Sequence, residues 1–159
     1  MTSKLIVAMS NNNGIGFKNT IPWYYKLDLL HFKKTTIGSG NNSIIMGKNT
    51  FNSIGKILPN RYNIIISTTL KDEKLHIVDS IEKAIQQSKQ LNHDDIWIIG
   101  GEKIYQYVIE KHLVSELWIT YIPETYTCDR FFPHIPDYFE IKERFNLDNT
   151  LQVVVYKLK

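Results

Sequence analysis

One carboxylate, Asp28, lies in a run that is otherwise aromatic, aliphatic or basic, IPWYYKLDLLHFKKTT at positions 21–36. A helix that begins near residue 25 would place Tyr24, Tyr25 and Phe32 beside this acid. Burying such a charge without a partner is costly. A ligand that offers two N–H groups in a fork would offset that cost. Asp28 is therefore a candidate for binding a hydrogen-bonding or cationic ligand.

Two further interpretations of Asp28 stay open on the residues alone. Thr120 follows the apolar strand LWI and could donate its hydroxyl to the carboxylate. Alternatively, Asp28 is an ordinary acid of a first helical turn, where the helix dipole favours negative charge.

Two glycine turns between a strand and a helix could bring the backbone close to an anion. One is IIGGEKIY, with Gly100 and Gly101, and the other is IIMGKNT, with Gly47. The donors that follow Gly47 are Lys48, Asn49 and Thr50. Neither turn is a dinucleotide-binding fingerprint or a P-loop, so a tight turn without a ligand remains the alternative for each.

A third strand end, IIISTT, presents Ser67, Thr68 and Thr69. Together with Lys48 these hydroxyls could hold a phosphate monoester such as the 2′-phosphate of NADP, although hydroxyl-rich loops are common. Arg61, after the turn LPN, could clamp a carboxylate through its paired donors. A solvated arginine is the alternative.

Other chemistries find no support in the chain. The histidines show no metal-ligand spacing on a common face, and no metal site is expected; they are His31, His76, His93, His112 and His134. There is no nucleophile elbow of the G-x-S-x-G type. The single cysteine, Cys128, excludes an internal disulfide and suits a reducing compartment.

The elements that must position these residues alternate between strand and helix. Apolar runs predict strands at 4–9, 43–46, 61–67, 75–78 and 96–101, and periodicity predicts helices at about 25–36, 79–91 and 102–112. Between 10 and 23 the segment SNNNGIG predicts a flexible loop. Strands at 115–122, 138–145 and 151–159 have no helix between them, and the last two predict an antiparallel hairpin. The fold class is α/β, with a largely parallel sheet.

The length and the charge of the chain limit the functions that it can have. A chain of 159 residues predicts one domain, 1–159, and the net charge of +3 is scattered along it. This distribution argues against a nucleic-acid or membrane patch and favours anionic small molecules. No stretch reaches 18 apolar residues, and a cytoplasmic monomer is expected.

The ordered motifs VAMSNNNGIGFKNTIPW, DLLHFKKTT, IIMGKNTFNSIG, LPNRYNIIIS, IWIIGGEKIY and LWITYI resemble the dihydrofolate reductase family, in its compact bacterial type. The resemblance implies an eight-stranded, mostly parallel mixed sheet with an antiparallel C-terminal hairpin and about four helices. It implies NADPH-dependent reduction of 7,8-dihydrofolate to tetrahydrofolate, by hydride transfer to pterin C6 and protonation at N5. This reaction supports one-carbon and thymidylate metabolism, and antifolates would bind the same site.

The resemblance also assigns roles by motif position. The catalytic positions are Asp28, Trp23, Thr120 and Ile21. The substrate positions are Ile6, Val7, Asp28, Leu29, Phe32, Ile54, Leu58, Arg61 and Thr120, with Arg61 on the glutamate tail. The cofactor positions are Ala8, Ile15, Gly16, Asn19, Thr20, Gly47, Lys48, Asn49, Thr50, Ser67, Thr68, Ile99, Gly100, Gly101, Glu102, Lys103, Ile104 and Tyr105. Residues 14–23 resemble the mobile loop of the family, and Asp129 matches the acid that tethers this loop. Gly100 and Gly101 match the paired glycines that are joined by a cis peptide in family members.

The sequence departs from the commonest family pattern at three places: residues Tyr24 to Lys26 before the acid, Glu102 after the paired glycines, and Arg130. Glu102 near a pyrophosphate would be repulsive unless it points outward. Two alternatives of other kinds are a riboflavin-pathway pyrimidine reductase, which lacks the Trp-then-acid motif, and a catalytically silent nucleotide-binding module.

Overall fold

The computed structural model describes residues 2–159 as strands and helices in near alternation. In chain order the strands are β1 (Thr2–Met9), β2 (Gly14–Gly16), β3 (Ser43–Gly47), β4 (Tyr62–Ile66), β5 (His76–Val78), β6 (Asp95–Ile98), β7 (Glu116–Tyr121), β8 (Arg130–Phe131), β9 (Phe139–Asn146) and β10 (Gln152–Leu158). The helices are α1 (Lys26–Ile37), α2 (Lys48–Ile54), α3 (Ile81–Gln90) and α4 (Glu102–Glu110). Among these residues no helix combines the length and the apolar composition needed to cross a membrane.

Eight of the strands form one sheet in the order β5-β4-β3-β6-β1-β7-β10-β9. The pairs from β5 through β7 are parallel, while β10 is antiparallel to both β7 and β9. This arrangement confirms the predicted mostly parallel sheet with an antiparallel C-terminal hairpin. The parallel half brings the carboxyl ends of β1, β3, β4 and β6 to one edge, where loops can meet helix starts.

The central strands are apolar on both faces because helices cover both faces. Leu5 and Val7 of β1 pack with α3 and α4, whereas Ile6, between them, packs on the opposite side with Phe32 of α1. Helix α3 begins as its sequence predicts, with the Ser80 hydroxyl accepting the Lys83 N–H at 3.2 Å. The two sides of the sheet are thus distinct layers, and the α1 side carries the acid.

A small second sheet lies in the segment predicted to be only a loop. Strands β2 and β8 pair antiparallel, and we call them the β2–β8 ribbon. Beyond β2 an isolated bridge joins Phe17 to Thr20. The prediction missed both strands because two or three residues, some of them glycine, cannot show an alternating pattern.

The central packing predicts a steep cost for a cavity in β6. Ile98 is fully buried, so Ile98→Ala should lower the free energy of unfolding by about 2–5 kcal/mol. Ile141→Ala, on β9 where the side chain is 43% exposed, is the matched control and should cost far less. Urea denaturation measures both, and equal losses would contradict the assignment of β6 to the core.

Candidate active site

Asp28 occupies the first turn of α1 and is partly buried. The helix begins at Lys26, after Tyr25 with its extended backbone (φ −131°, ψ 112°), so Asp28 has the first-turn place that the helix dipole favours. Burial nevertheless raises the pKa of Asp28 to about 6, while a hydrogen bond with Thr120 acts in the opposite direction. Thr120 is 1% exposed. Asp28 is therefore a first-turn acid that is also partly removed from solvent, with Thr120 as the partner the sequence indicated; its role in binding a ligand stays a prediction.

The two tyrosines before the acid do not surround it, and that expectation was wrong. Tyr24 is 76% exposed. The Tyr25 hydroxyl lies 3.4 Å from that of Tyr126 instead. Both residues precede the helix, so helical spacing does not carry them to the face of Asp28. The first turn also lacks a side-chain cap, because Tyr25 supplies none.

An apolar surface adjoins Asp28 on the α1 side of the sheet. It unites predicted substrate and nicotinamide positions in one cluster, namely Ile6, Phe32, Ile54, Leu58 and Ile99. Val7 is an exception, since its side chain belongs to the cluster on the opposite face. Leu29, on the same helix as Phe32, is 49% exposed, so part of the apolar surface of α1 is open to solvent.

Arg61 is held in a fixed orientation at the far side of this surface. Its Nε donates to the Pro59 carbonyl at 2.9 Å and an Nη to the Thr36 hydroxyl at 3.0 Å. Thr36 in turn is anchored, because the buried Asn42 amide donates to its carbonyl at 3.1 Å. Burial lowers the pKa of Arg61, and within residues 2–159 no carboxylate forms a salt bridge with it. A guanidinium with only neutral partners suits a carboxylate ligand.

The glycine turns meet at the carboxyl ends of β3 and β6. The Gly47 N–H donates to the Gly100 carbonyl at 2.9 Å, and the Gly100–Gly101 peptide is cis, as the resemblance implies. A Cβ added at Gly47 would lie 3.2 Å from Ile104 Cδ1, and one at Gly101 would lie 3.4 Å from Thr50 Oγ1. Gly47 and Gly101 are the N-caps of α2 and α4 and supply no side-chain cap. The first turns of α2 and α4 thus begin side by side, and neither N-cap residue adds a side chain there.

A lysine and two hydroxyls converge beside these turns. Lys48 Nζ donates to Thr69 Oγ1 at 3.1 Å, and Thr69 Oγ1 lies 3.4 Å from Ser67 Oγ. The Ser67 hydroxyl also accepts the backbone N–H of Thr69 and of Leu70. Thr68, between them, takes no part in these bonds. The grouping predicted from IIISTT is present, with Thr69 as the closest partner of Lys48.

The segment between β1 and α1 is fastened along its length. The Asp129 N–H donates to the Gly16 carbonyl at 2.9 Å, and the Lys18 N–H donates to Asp129 Oδ2 at 3.1 Å, which is the tether expected of this acid. The Trp23 ring lies 5.3 Å from that of Tyr126. Ile21 stands apart, with its side chain 58% exposed.

Several predicted cofactor positions form hydrogen bonds with other parts of the protein. Asn19 accepts the Ser53 hydroxyl at 2.6 Å through its carbonyl, which joins the first loop to α2. The Tyr105 hydroxyl donates to the Ile6 carbonyl at 2.8 Å beneath the sheet end. Glu102 Oε2 accepts the Phe131 N–H at 2.6 Å, so the carboxylate points toward β8. No pattern in the sequence indicated Ser53, Tyr126 or Phe131, because each contacts a residue far away along the chain.

The remaining predicted cofactor positions lie in β1, in β2 and the loop after it, and in the first turns of α2 and α4. Ala8 lies opposite Thr120 in the parallel pairing of β1 and β7. Ile15 is partly buried in β2 and packs against the α3–α4 side core. Thr20 closes the bridge with Phe17, its hydroxyl donating to the Phe17 carbonyl at 2.9 Å. Asn49 and Lys103 lie in the first turns of α2 and α4.

An apolar surface beside one partly buried acid, with glycine turns, a lysine and hydroxyls at the adjoining strand ends, is typical of an α/β enzyme that pairs a flat substrate with a phosphorylated cofactor. The dihydrofolate reductase family model matches residues 2–158, and the chain belongs to that family.

Relatives match most of the chain. The dihydrofolate reductase of Buchnera aphidicola subsp. Acyrthosiphon pisum is 43% identical over 152 residues, which cover 94% of this chain and 90% of the relative. That of Buchnera aphidicola subsp. Baizongia pistaciae is 42% identical over 141 residues, covering 86% and 82%. The Staphylococcus aureus enzyme is 36% identical over 135 residues, covering 84% and 79%.

The raised pKa of Asp28 predicts a stability penalty at neutral pH. As pH rises from about 4 to about 6, the unfolded chain loses this proton first, so the folded state loses relative stability. Above about 6 the folded protein carries the buried charge and the penalty is complete. Asp28→Asn should therefore unfold at higher urea than the unmodified protein at pH 7.5, and the gap should shrink toward pH 4. A gap that is independent of pH would contradict the burial of this carboxylate.

Proposed function

We propose that this member of the dihydrofolate reductase family reduces 7,8-dihydrofolate to tetrahydrofolate with NADPH, through the roles assigned below. The carrying observation is the buried Asp28, whose pKa is raised to about 6 beside Thr120 and an open apolar cleft. A pterin offers a ring N–H and an exocyclic amino group side by side. This fork matches the two oxygens of one carboxylate.

Asp28 serves as an electrostatic anchor for the substrate. In the free protein, burial disfavours its ionised form; donation from two ligand N–H groups favours that form and lowers its pKa. Bound to the fork, Asp28 stabilises positive charge on the pterin as N5 gains its proton. Because the carboxylate holds the far side of the ring, water delivers that proton. Thr120 fixes the carboxylate in place.

The apolar surface and Arg61 orient the rest of the substrate. Phe32, Ile54 and Leu58 would contact the pterin and p-aminobenzoyl rings, and Leu29 at the open edge would cover them. Arg61, with its donors fixed by Pro59 and Thr36, would bind the glutamate carboxylate. Substrate position is thus set at both ends.

The strand-end residues fit the cofactor. Because Gly47 and Gly101 add no side chains, a diphosphate would lie close to the backbone at the starts of α2 and α4. Lys48, Ser67 and Thr68 would hold the 2′-phosphate, joined by Thr69. When bound, NADPH supplies the hydride for pterin C6. Ile21 and Trp23, on the tethered first loop, would exclude water from the nicotinamide end.

The proposal also covers the number of domains, the oligomeric state and the cellular compartment. The protein acts as a single-domain monomer in the cytoplasm, supported by its one cysteine and by a site that the chain completes by itself. Antifolates would bind through the same carboxylate. A riboflavin-pathway pyrimidine reductase remains the alternative; the Trp23-to-Asp28 arrangement in the cleft favours a pterin.

The activity and the role of Asp28 are tested together. Purified protein should oxidise NADPH only when dihydrofolate is present, and Asp28→Asn should lower kcat by about 10²-fold or more while NADPH still binds. Asp137→Asn removes an exposed acid and is the matched control. Absence of activity in the unmodified protein, together with no methotrexate binding, would refute the function. A near-normal rate for Asp28→Asn would refute only the role.

The phosphate site is tested by cofactor preference. Lys48→Ala removes the cation beside Ser67 and Thr69, so it should weaken NADPH binding by about tenfold or more and leave NADH binding nearly unchanged. Lys89→Ala, on the exposed face of α3, is the control. Fluorescence titration with both cofactors measures the ratio. Equal losses for NADPH and NADH would remove Lys48 from this site.

A further inference from the structure

The carboxylate of Glu102 makes a contact that its place in the chain does not suggest. It is the first residue of α4, directly after the N-cap Gly101, where the helix start attracts anions. Instead of folding back over the first turn, Oε2 accepts the Phe131 N–H of β8 at 2.6 Å. The negative charge is thereby turned from the glycine approach toward the β2–β8 ribbon.

The Phe131 N–H can donate to Glu102, whereas the N–H groups near it in the chain donate to the segment around β2. The Asp129 N–H donates to the Gly16 carbonyl at 2.9 Å and the Phe132 N–H donates to the Asn13 carbonyl at 2.8 Å. These two bonds hold the ribbon together from within. The Phe131 N–H points to the opposite side, and Glu102 is its acceptor. The ribbon is thus joined to α4 by a charge-assisted hydrogen bond.

This bond links two parts of the proposed cofactor site. One end is the first turn of α4, where the diphosphate would lie, and the other is the ribbon whose first strand, β2, begins the loop that carries Ile21 and Trp23. Strand β2 is three residues long and is held by the packing of Ile15 and by the Asp129 N–H. The bond from Glu102 adds an anchor on β8, on the side of the ribbon that faces α4.

We propose that Glu102 is a positioning residue that fastens the β2–β8 ribbon to the start of α4 and so holds the first loop closed over the nicotinamide end of the site. The inference rests on the proposed function for the identity of the ligand. The same bond keeps the carboxylate directed away from a bound diphosphate. The acid at this position is thereby compatible with an anionic cofactor that it would otherwise repel.

The test separates the hydrogen bond from the charge. Glu102→Ala removes both, whereas Glu102→Gln keeps an acceptor oxygen and removes only the charge. Phe131→Pro removes the donor N–H from the other side of the same bond. Glu110→Ala, an acid at the end of α4 that contacts Gln106, is the matched control.

Amide hydrogen exchange, without any ligand, gives the first readout. Glu102→Ala and Phe131→Pro should each speed exchange of the Asp129 and Phe132 amides by about tenfold. Glu102→Gln should restore most of the protection, and Glu110→Ala should change nothing. The double variant should exchange no faster than either single variant, because both remove one bond. Unchanged exchange in Glu102→Ala, or additive effects in the double variant, would overturn the proposal.

Single-turnover NADPH oxidation gives the second readout. The rate should fall further in Glu102→Ala than in Glu102→Gln, while Glu110→Ala matches the unmodified protein. NADPH should bind Glu102→Gln more tightly than the unmodified protein at low salt, and the gain should vanish at high salt. Equal rates for the Ala and Gln variants would overturn the closure role. Inactive unmodified protein with normal exchange changes would refute the proposed function but leave the tether in place.

Discussion

The site depends on the burial of a single carboxylate. Asp28 is drawn toward solvent by the cost of desolvating its charge, and it is kept in the cleft by its place on α1 and by Thr120. Thr120 lies in β7, next to β1 in the sheet, so the acid and its partner are carried by separate elements, a helix and a strand. Burial raises the pKa of the acid, and in the proposed function the apolar cluster on the α1 side would contact a flat ligand.

A second constraint is the order and the parallel direction of the strands in the sheet. Parallel pairing brings the carboxyl ends of β3, β4 and β6 together, so residues far apart in sequence such as Lys48 and Thr69 meet without a dedicated domain. The glycines at the two N-caps add no side chains to this edge. Gly47 contacts Gly100 through the backbone, and in the proposed function the same turns would bind the anionic cofactor.

The sequence predicted those features that are local or periodic. The apolar runs located the strands of the main sheet to within a few residues. Tyr24 and Tyr25 were misplaced because the helix begins at Lys26, so neither side chain follows helical spacing to the face of Asp28. The β2–β8 ribbon and the Glu102 contact could not be predicted, since they join short segments whose partners depend on the folded sheet. The Ser67 and Lys48 grouping was predictable because both follow buried strands.

Helix α1 differs from the other long helices in what it covers. Only Thr36 among its residues is buried, and Leu27, Leu29 and Leu30 are 40–49% exposed. Much of the apolar surface of this helix is therefore open to solvent, and under the proposed function the substrate would cover part of it. Recognition would then resemble the last step of folding: a compound that offers apolar surface and two donors would be held by the same side chains, whatever its chemical origin.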